Sequence, residues 1–155
     1  MNNHLIWAEQ LCSRREYCIY DLRVKLKGRG VGEEEAERVI AALIQNNFLN
    51  EERYVRAFVH DKSKLLGWGP EKIRFALHAK QLPDSLIRLA LTSIDSHIQK
   101  ERLRHLLEVK WRSLKAASPE EVRVRLIRFG LSRGFSYEEI RSEVARLQKE
   151  PNSTP

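Results

Sequence analysis

At 155 residues the chain has the length of about one domain, and its 42% apolar content includes no run near the ~20 residues that a membrane span needs; the longest, 39–44, is far too short. Residues 1–4 lack a basic region ahead of an apolar core, and Cys12 and Cys18, six apart, fit neither a zinc site nor a redox pair, so the expectation is a reduced, cytoplasmic protein without a signal peptide. The formal net charge of +7 points toward a polyanion or an acidic protein surface as partner, against the plainer reading of a solvated helical face.

The elements expected along the chain are all helices. The first covers about 5–14 and the second 18–27, where Gly28, Gly30 and Gly32 stop it, since glycine is costly inside helices and suits their C-terminal ends. A third opens at Glu33-Glu34-Glu35, whose carboxylates favour the positive end of the helix dipole, and finishes near Asn46-Asn47. Asn50 is a good N-cap for a helix reaching about Leu66. Gly67-Trp68-Gly69-Pro70 then breaks the chain, and Pro70 suits the first turn of a helix that ends near Gln81; Pro83 begins another. A long helix spans about 97–114. Ser118-Pro119-Glu120-Glu121 combines cap, proline and capping-box acid, Gly134 closes the helix it starts, and Ser136-Tyr137-Glu138-Glu139 opens the last. Residues 151–155 are polar and expected to fray.

A six-residue phrase recurs three times: Asp21-Leu22-Arg23-Val24-Lys25-Leu26, Lys72-Ile73-Arg74-Phe75-Ala76-Leu77 and Glu121-Val122-Arg123-Val124-Arg125-Leu126. The copies begin 51 and 49 positions apart, and their outer aliphatic residues, four apart, share one helix face. Behind each copy lie matched anchors: Val31, Ala36 and Ile40; Leu82, Ile87 and Leu91; Phe135, Ile140 and Val144. The third copy has four extra residues before its first anchor, about one helical turn, so its face is kept. Upstream, Trp7, Phe58 and Leu107 each stand fifteen positions before the phrase's first aliphatic residue. The predicted organisation is therefore all-α, a tandem array of three three-helix repeats at 1–49, 50–95 and 96–149, with a tail at 150–155. Units of this size need their neighbours to bury their apolar faces.

Charge is uneven. Residues 1–49 carry seven basic and seven acidic groups, whereas residues 100–133 carry ten and four, so the positive field concentrates early in the third repeat. No Gly-rich phosphate cradle, zinc spacing or nucleophile motif is present, and His4, His60, His78, His97 and His105 are scattered as surface or boundary residues. The expectation is a protein that is not an enzyme and holds no cofactor or metal.

Arg23, Arg74 and Arg123 occupy one place in all three copies. They read either as a row of guanidinium groups for phosphates or carboxylates of a repeating partner, or as locally paired helix braces. Glu71 and Glu120 lie three before their arginines, and Asp21 with Lys25 and Glu121 with Arg125 lie four apart. Trp68 is either an anchor at a surface or a plug between helices, and the plug is favoured; Trp7 and Trp111 read as core.

The stretch 48–58 (Phe48-Leu49-Asn50-Glu51-Glu52-Arg53-Tyr54-Val55-Arg56-Ala57-Phe58), followed by Gly67-Trp68-Gly69-Pro70 and the second phrase, resembles the central signature of the bacterial RecX family. Arg15-Glu16-Tyr17 with the first phrase, and Arg133-Gly134-Phe135, fit the same family, and the likeness covers about 5–147. The resemblance implies three tandem three-helix units in an elongated, curved array. It also implies a monomeric, cytoplasmic regulator that binds the RecA filament in its groove and inhibits its ATPase, strand exchange and coprotease activity, with a part in recombination, repair and the SOS response. Some members also bind single- or double-stranded DNA, and a direct DNA-binding helical-repeat protein is the alternative. The residues offered for partner or DNA are Arg23, Lys25, Arg53, Lys64, Lys72, Arg74, Arg123, Arg125 and Arg128. Two departures stand out: Cys18 replaces a serine helix start, losing that cap, and Leu65-Leu66 stands where many members have basic residues.

Overall fold

The repeated phrase becomes the middle helix of each triplet in the computed structural model, which describes residues 2–115 and 117–149. In chain order the helices are α1 (Asn2–Arg14), α2 (Ile19–Gly28), α3 (Glu33–Gln45), α4 (Glu51–His60), α5 (Pro70–Ala79), α6 (Asp84–Thr92), α7 (Ser96–Arg112), α8 (Pro119–Ser132) and α9 (Tyr137–Lys149). Among the described residues there is no strand. The expected frayed tail at 150–155 lies outside the described residues. One element was not anticipated: α4 runs on into a π-helical turn, Asp61–Leu65, where the Leu66 N–H reaches the Asp61 carbonyl at 3.3 Å.

The outer aliphatic residues of the phrase are core in all three copies. Leu22 and Leu26, Ile73 and Leu77, and Val122 and Leu126 are each at most 2% exposed. Four residues separate each pair, so both side chains lie on the inward stripe of one helix. The four additional residues of the third copy are one additional turn: α2 and α5 have 10 residues and α8 has 14. The three helices then end alike. The N–H groups of Val31, Leu82 and Phe135 return to the carbonyls of Leu26, Leu77 and Gly130, and those of Gly30, Gln81 and Gly134 return to Lys27, His78 and Leu131. This pair of bonds is the Schellman closure, and it requires a left-handed residue at its centre. Gly30 (φ 83°) and Gly134 (φ 93°) meet that demand without strain, while Gln81 (φ 60°) meets it against its own Cβ.

The downstream anchors are buried except Leu91, which is half-buried. The three upstream positions differ in depth. Leu107 is fully buried, but Trp7 and Phe58 are only partly so, and in each case the next residue, Ala8 or Val59, is buried. Trp7 packs at the edge of the core beneath the Arg29 guanidinium, 4.4 Å from the ring.

Helix starts follow side-chain chemistry. Asn50 accepts from the Arg53 N–H at 2.9 Å, Ser118 from the Glu121 N–H at 3.2 Å and Ser136 from the Glu139 N–H at 3.2 Å. Asp95 caps α7 by accepting from His97 and Ile98. Cys18 makes no side-chain cap, as its thiol suggested; the first turn of α2 is served instead by Glu51, whose Oε2 accepts from the Ile19 N–H at 3.0 Å.

The chain forms two compact units, Met1–Val59 with Ala76–Ala90, and His60–Phe75 with Leu91–Pro155. In the first, Leu22, Leu26, Val39, Ile40, Leu43 and Leu49 form the core around Ala8. Each such leucine contributes about 1.5–3 kcal/mol by leaving water. In the second, Leu103, Leu107, Trp111, Val122, Leu126, Ile140 and Leu147 do the same. There the Gly67-Trp68-Gly69-Pro70 turn docks backbone to backbone on the end of α8: the Gly69 N–H donates to the Arg133 carbonyl at 2.7 Å and the Glu71 N–H to the Gly134 carbonyl at 2.9 Å. A Cβ at Gly69 would overlap the Gly134 carbonyl, and one at Gly134 would overlap the Lys72 Cβ. Trp68 is half-buried beside this contact, with the Lys62 and Lys72 ammonium groups 5.0 and 4.5 Å from its ring. Both cysteines are free thiols, and burial pushes that of Cys18 up to about 11.

Candidate interaction surface

Helix α8 turns Val122, Leu126 and Gly130 inward, which leaves its arginines half-buried or exposed. Arg125 pairs with Glu121 one turn earlier at 3.2 Å. Arg123 and Arg128 have no carboxylate partner among the described residues, and the expected brace between Glu120 and Arg123 does not form. On α7, Arg104 is neutralised: its guanidinium donates to both oxygens of Glu143 at 3.2 Å. Arg146 donates to the same carboxylate at 3.0 Å. Glu143 is only 4% exposed; burial pushes its pKa up, but the hydrogen bonds from Arg104 and Arg146 outweigh this and hold it below the ordinary carboxylate range. The Lys110 ammonium and the Arg133 guanidinium lie over the Phe129 ring at 5.4 and 5.0 Å. What remains as unneutralised charge on these two helices includes Arg112, Arg123 and Arg128.

The arginine row is therefore not uniform. Arg23 is clamped by Glu37 of α3 through two 2.8 Å bonds, a hydrogen-bonded pairing that raises the arginine pKa and lowers the glutamate's. Arg74 is held by Glu71 at 2.6 Å, as the spacing of three suggested. Asp21 does not brace Lys25; it bonds Lys80, in the turn just after α5, at 2.9 Å, leaving Lys25 exposed. Arg53 is occupied throughout: its Nε faces Glu16 at 3.1 Å, and its other nitrogens donate to Asn47 and to the Phe48 carbonyl. That fork ties the end of α3 to α4 and is a structural clamp. Lys64 is exposed without an acidic partner among the described residues, and Lys72 lies against Trp68.

Sequence reasoning passed over the fourth position of the phrase. Val24 is 56% exposed, Phe75 78% and Val124 36%. The signal was present, because a residue two beyond a buried one is about 200° round the helix and must face outward. Each copy thus shows solvent an arginine followed by an apolar side chain. Val24 also lines a groove of about 560 Å³ with Val31 and Ala36, rimmed by Arg23 and Glu37. Among the described residues no group of three or more His, Cys, Asp or Glu could hold a metal, and no helix is long and apolar enough to cross a membrane. The surface can carry out recognition of a macromolecule through cations and scattered apolar contacts.

Comparison with known proteins agrees with this architecture. Residues 50–91 match the family model described as the second three-helix domain of RecX, and residues 98–143 match that of its third. A regulatory protein RecX from Haemophilus ducreyi is 36% identical over 149 residues, covering 95% of this chain and 91% of its own length. One from Clostridium perfringens is 33% identical over 129 residues, covering 82% of this chain; this chain spans 60% of the clostridial protein's length. Among solved structures, RecX from Lactobacillus salivarius superposes with a TM-score of 0.80 at 20% identity, over 96% of this chain and 99% of that one. A second RecX crystal structure gives 0.82 at 22% identity, over 91% of this chain and 72% of the other.

Proposed function

This chain belongs to the RecX family, and we propose that it is a non-catalytic regulator that binds the RecA–DNA filament and inhibits its ATPase, strand-exchange and coprotease activities. The observation that carries the reading is the coincidence of family membership with two α8 arginines, Arg123 and Arg128, that meet no carboxylate among the described residues. Arg123 and Arg128 contribute most, because neighbouring carboxylates do not screen them; Arg53 drops out, since its donors are used within the chain. Binding across the face would oppose the movement a filament needs in order to turn over or take up a second duplex. The protein acts as a monomer, in the cytoplasm, and without a cofactor.

The test is the DNA-dependent ATPase of RecA titrated with the purified chain. The rate should fall at or below one chain per protomer, and Arg123→Glu with Arg128→Glu should weaken the effect at least tenfold. An unchanged rate at saturating protein would overturn the reading. Direct DNA binding is a second reading, favoured by the same unpaired arginines and by the lysines around Trp68. It requires affinity for DNA alone that falls steeply with salt, with the slope shrinking by about 1 for each phosphate-contacting cation removed. Binding that needs the recombinase would rule it out.

A further inference from the structure

The chain after α4 shows solvent two leucines that the reading above leaves without a role. Leu65 is 74% exposed and Leu66 52%. Their position follows from the π-helical turn. Val55, Val59 and Ser63 are buried at steps of four, and the wider turn that follows carries Leu66 away from that inward face. The turn is pinned: Arg102 of α7 donates to the buried Ser63 hydroxyl at 2.6 Å and to its carbonyl at 3.3 Å. Ile98, 46% exposed in the first turn of α7, and Leu106 line the same groove, whose volume is about 570 Å³ and whose residues all belong to the second unit.

The rim is cationic. Lys64 is exposed, and Arg102 bonds only the neutral Ser63; neither has a carboxylate partner among the described residues. The carboxylate on the rim, Glu101, is 3.5 Å from Arg104. An apolar floor between unneutralised cations matches a ligand that is apolar along one stripe and acidic beside it. We propose that this groove docks an amphipathic protein segment that bears carboxylates next to its apolar side chains. The assignment of that segment to RecA rests on the function proposed above. A nucleic-acid strand would satisfy Lys64 and Arg102 but would leave Leu65, Leu66 and Ile98 facing phosphates, and the groove is lined by the imidazoles of His97 and His105 but by no Phe, Tyr or Trp to stack on a base.

The test uses the full chain and three probes. They are RecA filaments in co-sedimentation, a fluorescein-labelled single-stranded DNA, and a labelled helical peptide with leucines at i, i+3, i+4 and i+7 flanked by glutamates. The expected result is saturable peptide binding that falls at least tenfold in Leu65→Ser/Leu66→Ser and in Lys64→Glu, with the same variants losing filament binding. Thermal melts should remain at the wild-type position, because the substituted side chains are already in water. Wild-type protein that ignores the peptide, or a double serine variant that binds peptide and filament normally, overturns the groove. So does a double serine variant whose only loss is in DNA binding. Peptide binding sensitive to the variants, with no wild-type binding to filaments, upholds the groove and removes RecA as its source.

Discussion

Arg23 of α2 is gripped at 2.8 Å by Glu37, whereas its counterpart Arg123 of α8 meets no carboxylate among the described residues. The helices that carry them are otherwise built alike: a buried aliphatic pair four apart, an outward apolar residue between, and a left-handed closing glycine. The difference separates two kinds of information in one repeated phrase. Its apolar positions define a packing unit, and they are the same in both places. Its charged positions are free to differ, and in the third triplet they leave a positive field that carboxylates of the described residues do not cancel. A surface salt bridge such as Arg23–Glu37 contributes little to stability, typically about 0–1 kcal/mol, so the pairing chiefly removes Arg23 from the set of available cations.

That comparison can be broken or sharpened by four experiments. If the packing units are equivalent, Leu26→Ala and Leu126→Ala should each cost about 3–4 kcal/mol in urea unfolding, since both side chains are fully buried. A disparity larger than about 2 kcal/mol would show that the two cores do not bear the phrase equally. The closing glycines should differ. Gly134→Ala combines left-handed strain with overlap against Lys72 and should cost about 3 kcal/mol, whereas Gly30→Ala has open space around it and should cost about 1 kcal/mol. Equal losses would remove the docked turn as the reason.

The third experiment concerns Glu143, buried between Arg104 and Arg146 in the second unit. Glu143→Gln should cost about 2 kcal/mol at neutral pH, because it weakens charge-assisted hydrogen bonds while retaining shape. The pH dependence follows from its lowered pKa. As pH falls below the ordinary value of 4.5, the unfolded chain takes up the proton first. The contribution is therefore complete above that value and is lost as pH falls through the folded pKa. The acid limb of a stability profile should flatten in the variant; an unchanged limb would assign acid sensitivity to other carboxylates. The smallest effect should be a gain. Gln81 holds the left-handed position that Gly30 and Gly134 hold in the other copies, so Gln81→Gly should stabilise the chain by about 1 kcal/mol. No gain would mean that the Gln81 side chain offsets its own strain.

The surface was less legible than the scaffold for a physical reason. Glu71–Arg74 and Glu121–Arg125 could be anticipated because helix geometry alone brings residues three or four apart together. Asp21 with Lys80, Arg53 with Glu16 and Arg104 with Glu143 could not, because each partner arrives from a distant stretch of the chain. Arg53 therefore stood among the candidate binding residues although its fork closes the junction of α3 and α4, and helical spacing gave Leu65 and Leu66 no face. The outward Val24, Phe75 and Val124 were legible in principle from the 100° step of a helix.

By itself the amino-acid order determined which segments are helical, where Asn50, Ser118 and Ser136 start them, the additional turn in α8, and which face of each phrase is apolar. All of these rest on interactions within a few residues of one another. Tertiary structure alone decided which cations are left without partners, that Glu51 replaces the missing cap at Cys18, and that a π-helical turn pinned by Arg102 lifts two leucines into solvent. Charge pairing and exposure depend on neighbours distant in the chain, and only packing brings those neighbours within reach.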